Sequence, residues 1–166
     1  MTDCIFCKIV NGELPSAKIW EDEDYLAVLD SNPNTKGQTI VMTKKHYDSY
    51  IFDMPKNGYK NFMATTKRVA KLLEKGINAQ RVALVAEGMG INHAHIKLYP
   101  LHGLEKKNQE IFPPAGEIYF DKYEGYLSTR LGPKKPIEEL TKLAREIRKW
   151  NFFTPRGGAS DDRSDS

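Results

Sequence analysis

Apolar and polar residues fall into blocks along this chain, and the lengths and periods of those blocks separate strands from helices. Residues 25–30 (YLAVLD) and 38–43 (QTIVMT) are short, apolar and rich in β-formers, with the turn-forming stretch SNPNTKG between them. That arrangement predicts two neighbouring antiparallel strands. A helix is predicted next. Asp53 can cap it, Pro55 suits its first turn, and apolar residues recur at Tyr59, Phe62, Met63, Val69, Ala70, Leu72 and Leu73 before Gly76 stops it. Residues 81–88 (RVALVAEG) predict a buried strand ended by a glycine turn, and 93–100 (HAHIKLYP) a further strand closed by Pro100. Residues 101–135 show no clear period and are rich in Gly, Pro and Tyr. So long a stretch marks a functional or partner-contacting segment, or a misassigned element. Behind Pro136, the residues Ile137, Leu140, Leu143, Ala144 and Ile147 stand at helical spacing and predict an amphipathic C-terminal helix. Strands, helix, strands, helix is the order of an α+β domain with a mainly antiparallel sheet.

Composition changes this picture little. The chain has 166 residues, of which 40% are hydrophobic and 28% charged, ordinary values for a soluble globular protein. We expect a single domain over residues 1–150 and a disordered polar tail over 151–166, where hydrophobic residues almost vanish. A net charge of +3 does not announce nucleic-acid binding. There is no apolar run long enough for a membrane span and no signal-peptide pattern, so a cytoplasmic protein without a membrane partner is expected. The two cysteines both lie in one C-x-x-C, Cys4 and Cys7, a spacing used by metal sites and redox pairs.

The chemistry concentrates in residues 92–100, NHAHIKLYP. Strand side chains alternate faces, so His93, His95 and Lys97 would share one face, about 6.6 Å apart in steps, while Ala94, Ile96 and Leu98 share the other. The apolar set would pack inward and the basic set look outward. Such a row is either a phosphate-sized electropositive ledge or a polar edge turned to water. Gly88 and Gly90 just before it would let backbone approach a ligand.

Cys4 and Cys7 do not follow a strand, which weakens the redox reading. A structural zinc needs four ligands. The histidines available are His46, His93, His95 and His102, so a Cys2His2 site using His46 and one strand histidine is feasible beside the reading of two idle thiols. Asp30, at a strand end, can cap the turn or accept sugar hydroxyls. Ile5, Phe6 and Ile9 can line a base pocket or belong to plain core.

In this order and spacing, DCIFCKIVNGELPSAKIWEDEDYLAVLD, TKGQTIVMTKKH and GMGINHAHIKLYP resemble the histidine triad (HIT) superfamily of nucleotide hydrolases and transferases. The resemblance covers residues 3–100. It implies a HIT-like fold: a five-stranded, mainly antiparallel sheet, one long central helix and a C-terminal helix, usually paired as a homodimer. It implies that His95 is the catalytic nucleophile, forming a nucleotidyl-histidine with the α-phosphate of a purine nucleotide conjugate such as a phosphoramidate or dinucleoside polyphosphate. Lys97 matches the third triad position, which contacts the phosphate. Asp30 matches the ribose-holding acid. Ile5, Phe6, Ile9 and Val28 match the purine pocket, with backbone at Gly88 and Gly90 near the phosphates. In zinc-bearing, bacterial-type members, the positions of Cys4, Cys7, His46 and His93 hold a structural zinc.

Two departures shape the expected activity. Lys97 is a compact ammonium charge where the family has an imidazole acid–base. The run Gly88, Met89, Gly90 offers only backbone where the family often has polar side chains. Glutamine at the third position in the transferase and phosphorylase branches shows that replacement there does not imply a dead site, and it favours transfer to an acceptor other than water. The expected function is therefore nucleotide hydrolysis or nucleotidyl transfer, with a zinc-stabilised nucleotide-binding module of little turnover as the alternative. Nucleic acid is not an expected partner. Arg130, Tyr119, Tyr123 and Tyr126 can serve the substrate cleft or a dimer contact. His102 is a surface histidine or a substitute acid.

Overall fold

Five strands form one antiparallel sheet in the order β1-β2-β3-β5-β4. They are β1 (Lys18–Glu21), β2 (Tyr25–Leu29), β3 (Thr39–Thr43), β4 (Arg81–Val85) and β5 (His95–Leu101). A six-residue helix, α1 (Ile5–Val10), precedes them, and a long helix, α2 (Lys56–Gly76), joins β3 to β4 after a 3-10 turn at Ile51–Asp53. The structure is a computed structural model that describes residues 3–108, 110, 111, 116, 117, 119, 121–123, 125 and 126. It divides into two compact units, Met1–Ile111 and Phe112–Ser166. The sheet lies in the first. In the second, Tyr119, Tyr123 and Tyr126 are exposed. The predicted C-terminal helix, Arg130, the boundary at residue 150 and the polar tail lie outside the described residues.

Register explains how the sheet acquires two working faces. Ala27, Val41 and Ile96 pair across β2, β3 and β5, as do Leu26, Met42 and His95, and Val28, Ile40 and Lys97. Directly opposed residues share a face. One face, with Tyr25, Ala27, Val41, Ile96 and Leu98, packs on Phe62, Val69 and Leu73 of α2 to make the larger core. The other carries Leu26, Val28, Ile40 and Met42, which pack against Phe6 with Cys4, Ile9 and Val10 of the N-terminal segment. Both faces being covered, β2 and β3 read as continuous apolar runs rather than as alternating ones.

Several sequence expectations change here. Asp53 is not the α2 cap: it closes the 3-10 turn, and Pro55 occupies the N-cap with no side-chain hydrogen bond. The apolar stripe of α2 faces the sheet except at Leu72, which is exposed. β4 is an edge strand rather than a buried one, and Leu84 is 44% exposed. Pro100 does not close β5 but lies within it. The basic set of residues 93–97 does not look outward: His93 and His95 are buried, because α1 covers that face. His93 also precedes β5 and so escapes the strand's alternation.

Phe62 is fully buried and stacks on Tyr25, ring centroids 5.4 Å apart and planes 5° from parallel. Phe62→Ala is expected to destabilise the protein by about 3–5 kcal/mol. Leu72→Ala, beside Leu73 but turned away from the buried stripe and 41% exposed, should cost about 1 kcal/mol or less. Denaturant unfolding of the two variants measures both, and equal losses would contradict the assigned helix face.

Candidate functional site

The face covered by α1 opens, beyond that helix, into a cavity of about 970 Å³. That is within the size range of small-molecule sites. Three rows of side chains cross this face of the sheet. Leu26, Met42 and His95 form the first, and Val28, Ile40 and Lys97 the second. One alternation further on stand Tyr99 of β5 and, just past the end of β2 and just before β3, Asp30 and Gln38; the Asp30 N–H donates to the Gln38 carbonyl at 2.9 Å. Ile5, Phe6 and Ile9 of α1 form one wall, and Gly90, Ile91 and Glu87 close the side toward β4. The cavity thus joins apolar side chains of α1 to an imidazole that packs on Phe6, an ammonium and two carboxylates.

His95 is the best-defined of these groups. Its Nδ1–H donates to the His93 carbonyl at 2.7 Å. In a neutral ring this leaves Nε2 as the nitrogen with the lone pair. Burial holds the ring below the ordinary histidine pKa, and the charge of Lys97 acts in the same direction; the hydrogen bond to His93 and the carboxylates of Glu87 and Asp30 oppose them. The edge of Phe6 packs on this ring, centroids 5.0 Å apart. The side chain is therefore fixed in orientation and tautomer, and its burial favours the neutral form, as a nucleophile or a base requires.

His93 turns its ring the other way. Its Nε2–H donates to the Thr43 carbonyl at 2.7 Å. Its Nδ1 lies 3.4 Å from Cys4 Sγ and 3.5 Å from Cys7 Sγ, and His46 Nδ1 lies 3.3 Å from Cys7 Sγ. The four ligand atoms lie within 4.8 Å of one another. Around a tetrahedral metal with ordinary zinc–sulfur and zinc–nitrogen bonds, adjacent S and N atoms stand about 3.5 Å apart. The spacing of this cluster matches that figure, so Cys4, Cys7, His46 and His93 can hold a metal ion. The Thr43 carbonyl fixes the His93 tautomer from behind, as an outer partner of a metal ligand does. Segment pairing supplies the fourth ligand. The Ala94 N–H donates to the Tyr47 carbonyl at 2.8 Å, and the Ser49 N–H to Asn92 Oδ1 at 2.9 Å, which lays the loop bearing His46 alongside residues 92–94.

The structure brings most of the sequence-derived candidates together. Ile5, Phe6, Ile9, Val28, Asp30, Gly90, His95 and Lys97 all line the cavity. Gly88 does not. It takes φ +73°, and a Cβ there would stand 2.9 Å from both Cβ and O of Ser49, so its freedom serves backbone packing. Met89 is 71% exposed. His102 lies on the surface and donates from Nε2 to the Lys36 carbonyl at 2.8 Å, away from the cavity lining. Sequence reasoning missed Gln38, Glu87 and Tyr99. The available signal was parity: Gln38 and Ile40, like Lys97 and Tyr99, stand two residues apart and so share a strand face.

Comparison with known proteins agrees with this fold. The HIT domain model matches residues 11–103. An uncharacterised HIT-like protein of Methanocaldococcus jannaschii is 41% identical over 101 residues, covering 58% of this chain and 78% of that protein. The adenosine 5'-monophosphoramidase of Saccharomyces cerevisiae is 32% identical over 121 residues, covering 72% of this chain and 75% of the enzyme. Among solved structures, a protein of Streptococcus mutans superposes with a TM-score of 0.64 at 32% identity, covering 90% of this chain and 85% of the other.

The cluster makes a direct prediction. Titrating metal-free protein with Co²⁺ should give one equivalent of a tetrahedral complex, with intense visible d–d bands and a near-ultraviolet thiolate charge-transfer band. Cys4→Ser should lose about half of the charge-transfer intensity, since one of the two thiolates is removed. Octahedral spectra, or a charge-transfer band unchanged in Cys4→Ser, would contradict the assigned ligand set.

Proposed function

We infer the activity of this chain from one premise: it belongs to the HIT domain family. On that premise we propose a nucleotide hydrolase or nucleotidyltransferase acting at the α-phosphate of a purine nucleotide conjugate. The observation that carries the reading is His95, a buried imidazole whose Nδ1–H is committed to a carbonyl and whose ring lines the cavity beside Lys97. The names of two kinds of relative support the substrate class: adenosine 5'-monophosphoramidases of two yeasts and an adenylylsulfatase of Arabidopsis thaliana.

In the proposed reaction the purine lies between Ile5, Phe6, Ile9 and Val28, and the ribose hydroxyls donate to Asp30. The lone pair of His95 Nε2 attacks the α-phosphorus. A P–N bond to the ring forms, and the bond to the leaving group breaks with its electron pair passing to that group. Lys97 neutralises the phosphoryl oxygens, whose charge is concentrated as the leaving group departs. An acceptor hydroxyl, from water or a second substrate, then attacks the phosphorus, and the proton it releases to solvent balances the one the departed leaving group takes up. The P–N bond breaks and Nε2 recovers its lone pair. Two easier displacements replace one hard one.

We assign zinc to Cys4, Cys7, His46 and His93 and place the chain in the zinc-bearing branch of the family. Bound there, zinc supplies a closed four-ligand clamp, structural rather than reactive. The donor set supports the assignment, two thiols and two imidazoles being a common structural zinc set. His93 joins that clamp to the nucleophile two residues on. We also propose a homodimer, formed through the open edge of β4, where Leu84 is exposed. An unpaired strand edge is a ready template for a second copy.

One observation favours a second reading, a nucleotide-binding module with little turnover. Met89 faces solvent, and Gly90 brings only backbone to the cavity, so the loop before the triad provides no side-chain donor for a leaving group.

Intact-protein mass spectrometry after brief exposure to an adenosine phosphoramidate separates the two. Wild-type protein is expected to carry an adenylate-sized adduct or release AMP steadily, and His95→Ala to lose both by roughly 10⁴-fold or more. Lys97→His is expected to speed AMP release relative to wild type. AMP retained without adduct or release would establish the binding module instead.

A further inference from the structure

We propose that Gln38 is a positioning residue of this site, which holds the Asp30 carboxylate in the orientation that receives a ribose diol and so sets a preference for ribonucleotides over deoxyribonucleotides. This rests on the nucleotide reading of the cavity given above. The starting observation is a side chain in an unexpected place. Gln38, just before β3, lines the cavity together with the apolar Ile40, and only 4% of it is exposed. Burying a carboxamide is costly unless its polar atoms are paired.

Both of its ends are paired, and the pairing determines which way the amide points. Oε1 accepts from the Asn34 backbone N–H at 2.8 Å. Only the oxygen can accept there, so the amino group must face the other way. That direction is Asp30, and Nε2 donates to Oδ2 at 2.6 Å. The other carboxylate oxygen, Oδ1, accepts from the Asn32 N–H at 2.9 Å. The Asn32 bond alone would make an ordinary turn at Asp30. The second bond comes from the neighbouring strand and removes the freedom to rotate that a one-oxygen turn leaves. Each oxygen keeps further lone-pair capacity, and Asp30 lines the cavity. A carboxylate held at both oxygens presents two acceptors at fixed separation, the geometry that a vicinal diol recognises and a single hydroxyl does not.

Replacing the donor by an acceptor of the same length tests the idea. In Gln38→Glu, a second carboxylate would face Oδ2. In Gln38→Met, the side chain keeps its length and loses the donor without gaining charge. Calorimetric titration with AMP and with 2'-deoxy-AMP is run on wild type, both variants, Asp30→Asn and Gln38→Glu/Asp30→Asn. Thermal unfolding of each protein identifies any variant that fails to fold. Wild type is expected to prefer AMP by about tenfold or more, the worth of a charge-assisted hydrogen bond or two. Each Gln38 variant should abolish that preference while leaving the 2'-deoxy-AMP affinity within about twofold. Gln38→Glu should add no further loss in the Asp30→Asn background. A preference retained in both variants would overturn the proposal, as would equal losses for the two ligands, which mark a merely structural residue. Wild type binding both ligands equally would overturn it while leaving the nucleotide site standing. Wild type binding neither would remove the nucleotide reading and this proposal together.

Discussion

One residue, His93, connects everything that matters in this fold. Its side chain turns toward Cys4, Cys7 and His46, its Nε2–H is held by the Thr43 carbonyl, and its own carbonyl receives Nδ1–H of His95. The N-terminal segment, the end of β3 and the opening of β5 therefore meet at a single backbone position. Phe6, which lies between the two cysteines in sequence, packs edge-on against the rings of both His93 and His95. A six-residue helix has little stability of its own. Burial of Phe6 against Leu26, Val28, Ile40 and Met42 holds α1 on the sheet, and the thiols at its start anchor it to His93. The wall of the cavity and the tautomer of its central imidazole thus depend on the same small set of contacts.

That dependence explains what was legible in the sequence and what was not. β2 and β3 announced themselves, because a strand buried on both faces is a short continuous run of β-formers. RVALV looked the same and is an edge strand, since a run of five apolar residues does not say how many neighbours it has. α1 was invisible as a helix: Ile5, Phe6 and Ile9 were read one by one, too few to establish a period. Missing it led directly to the error about His93 and His95, for without α1 their face of the sheet would have met water. The cluster of Cys4, Cys7, His46 and His93 was reached by resemblance, and no spacing rule alone selects His46 over His102. Gln38 went unnoticed because its significance lies in a cross-strand bond to Asp30, which only the register of β2 on β3 creates.

Lys97 acquires its meaning from the row it occupies. It stands level with Val28 and Ile40, between the row of His95 and the row of Asp30, Gln38 and Tyr99. An ammonium there faces a cavity that also carries the carboxylates of Asp30 and Glu87. The site thus sets charged groups of both signs around one buried imidazole. Such an arrangement suits stabilising a charged phosphoryl group more than relaying protons. Burial favours the neutral form of His95, and the Lys97 charge adds to that preference.

The central claim is that His95 is a neutral imidazole with its proton on Nδ1 and its lone pair on Nε2. Nitrogen-15 NMR of histidine-labelled protein, assigned by comparison with His95→Gln, tests it most directly at neutral pH. The account predicts a pyrrole-type Nδ1 with a slowly exchanging proton and a pyridine-type Nε2 for His95. A protonated Nε2, whether in the other tautomer or in an imidazolium, would contradict it.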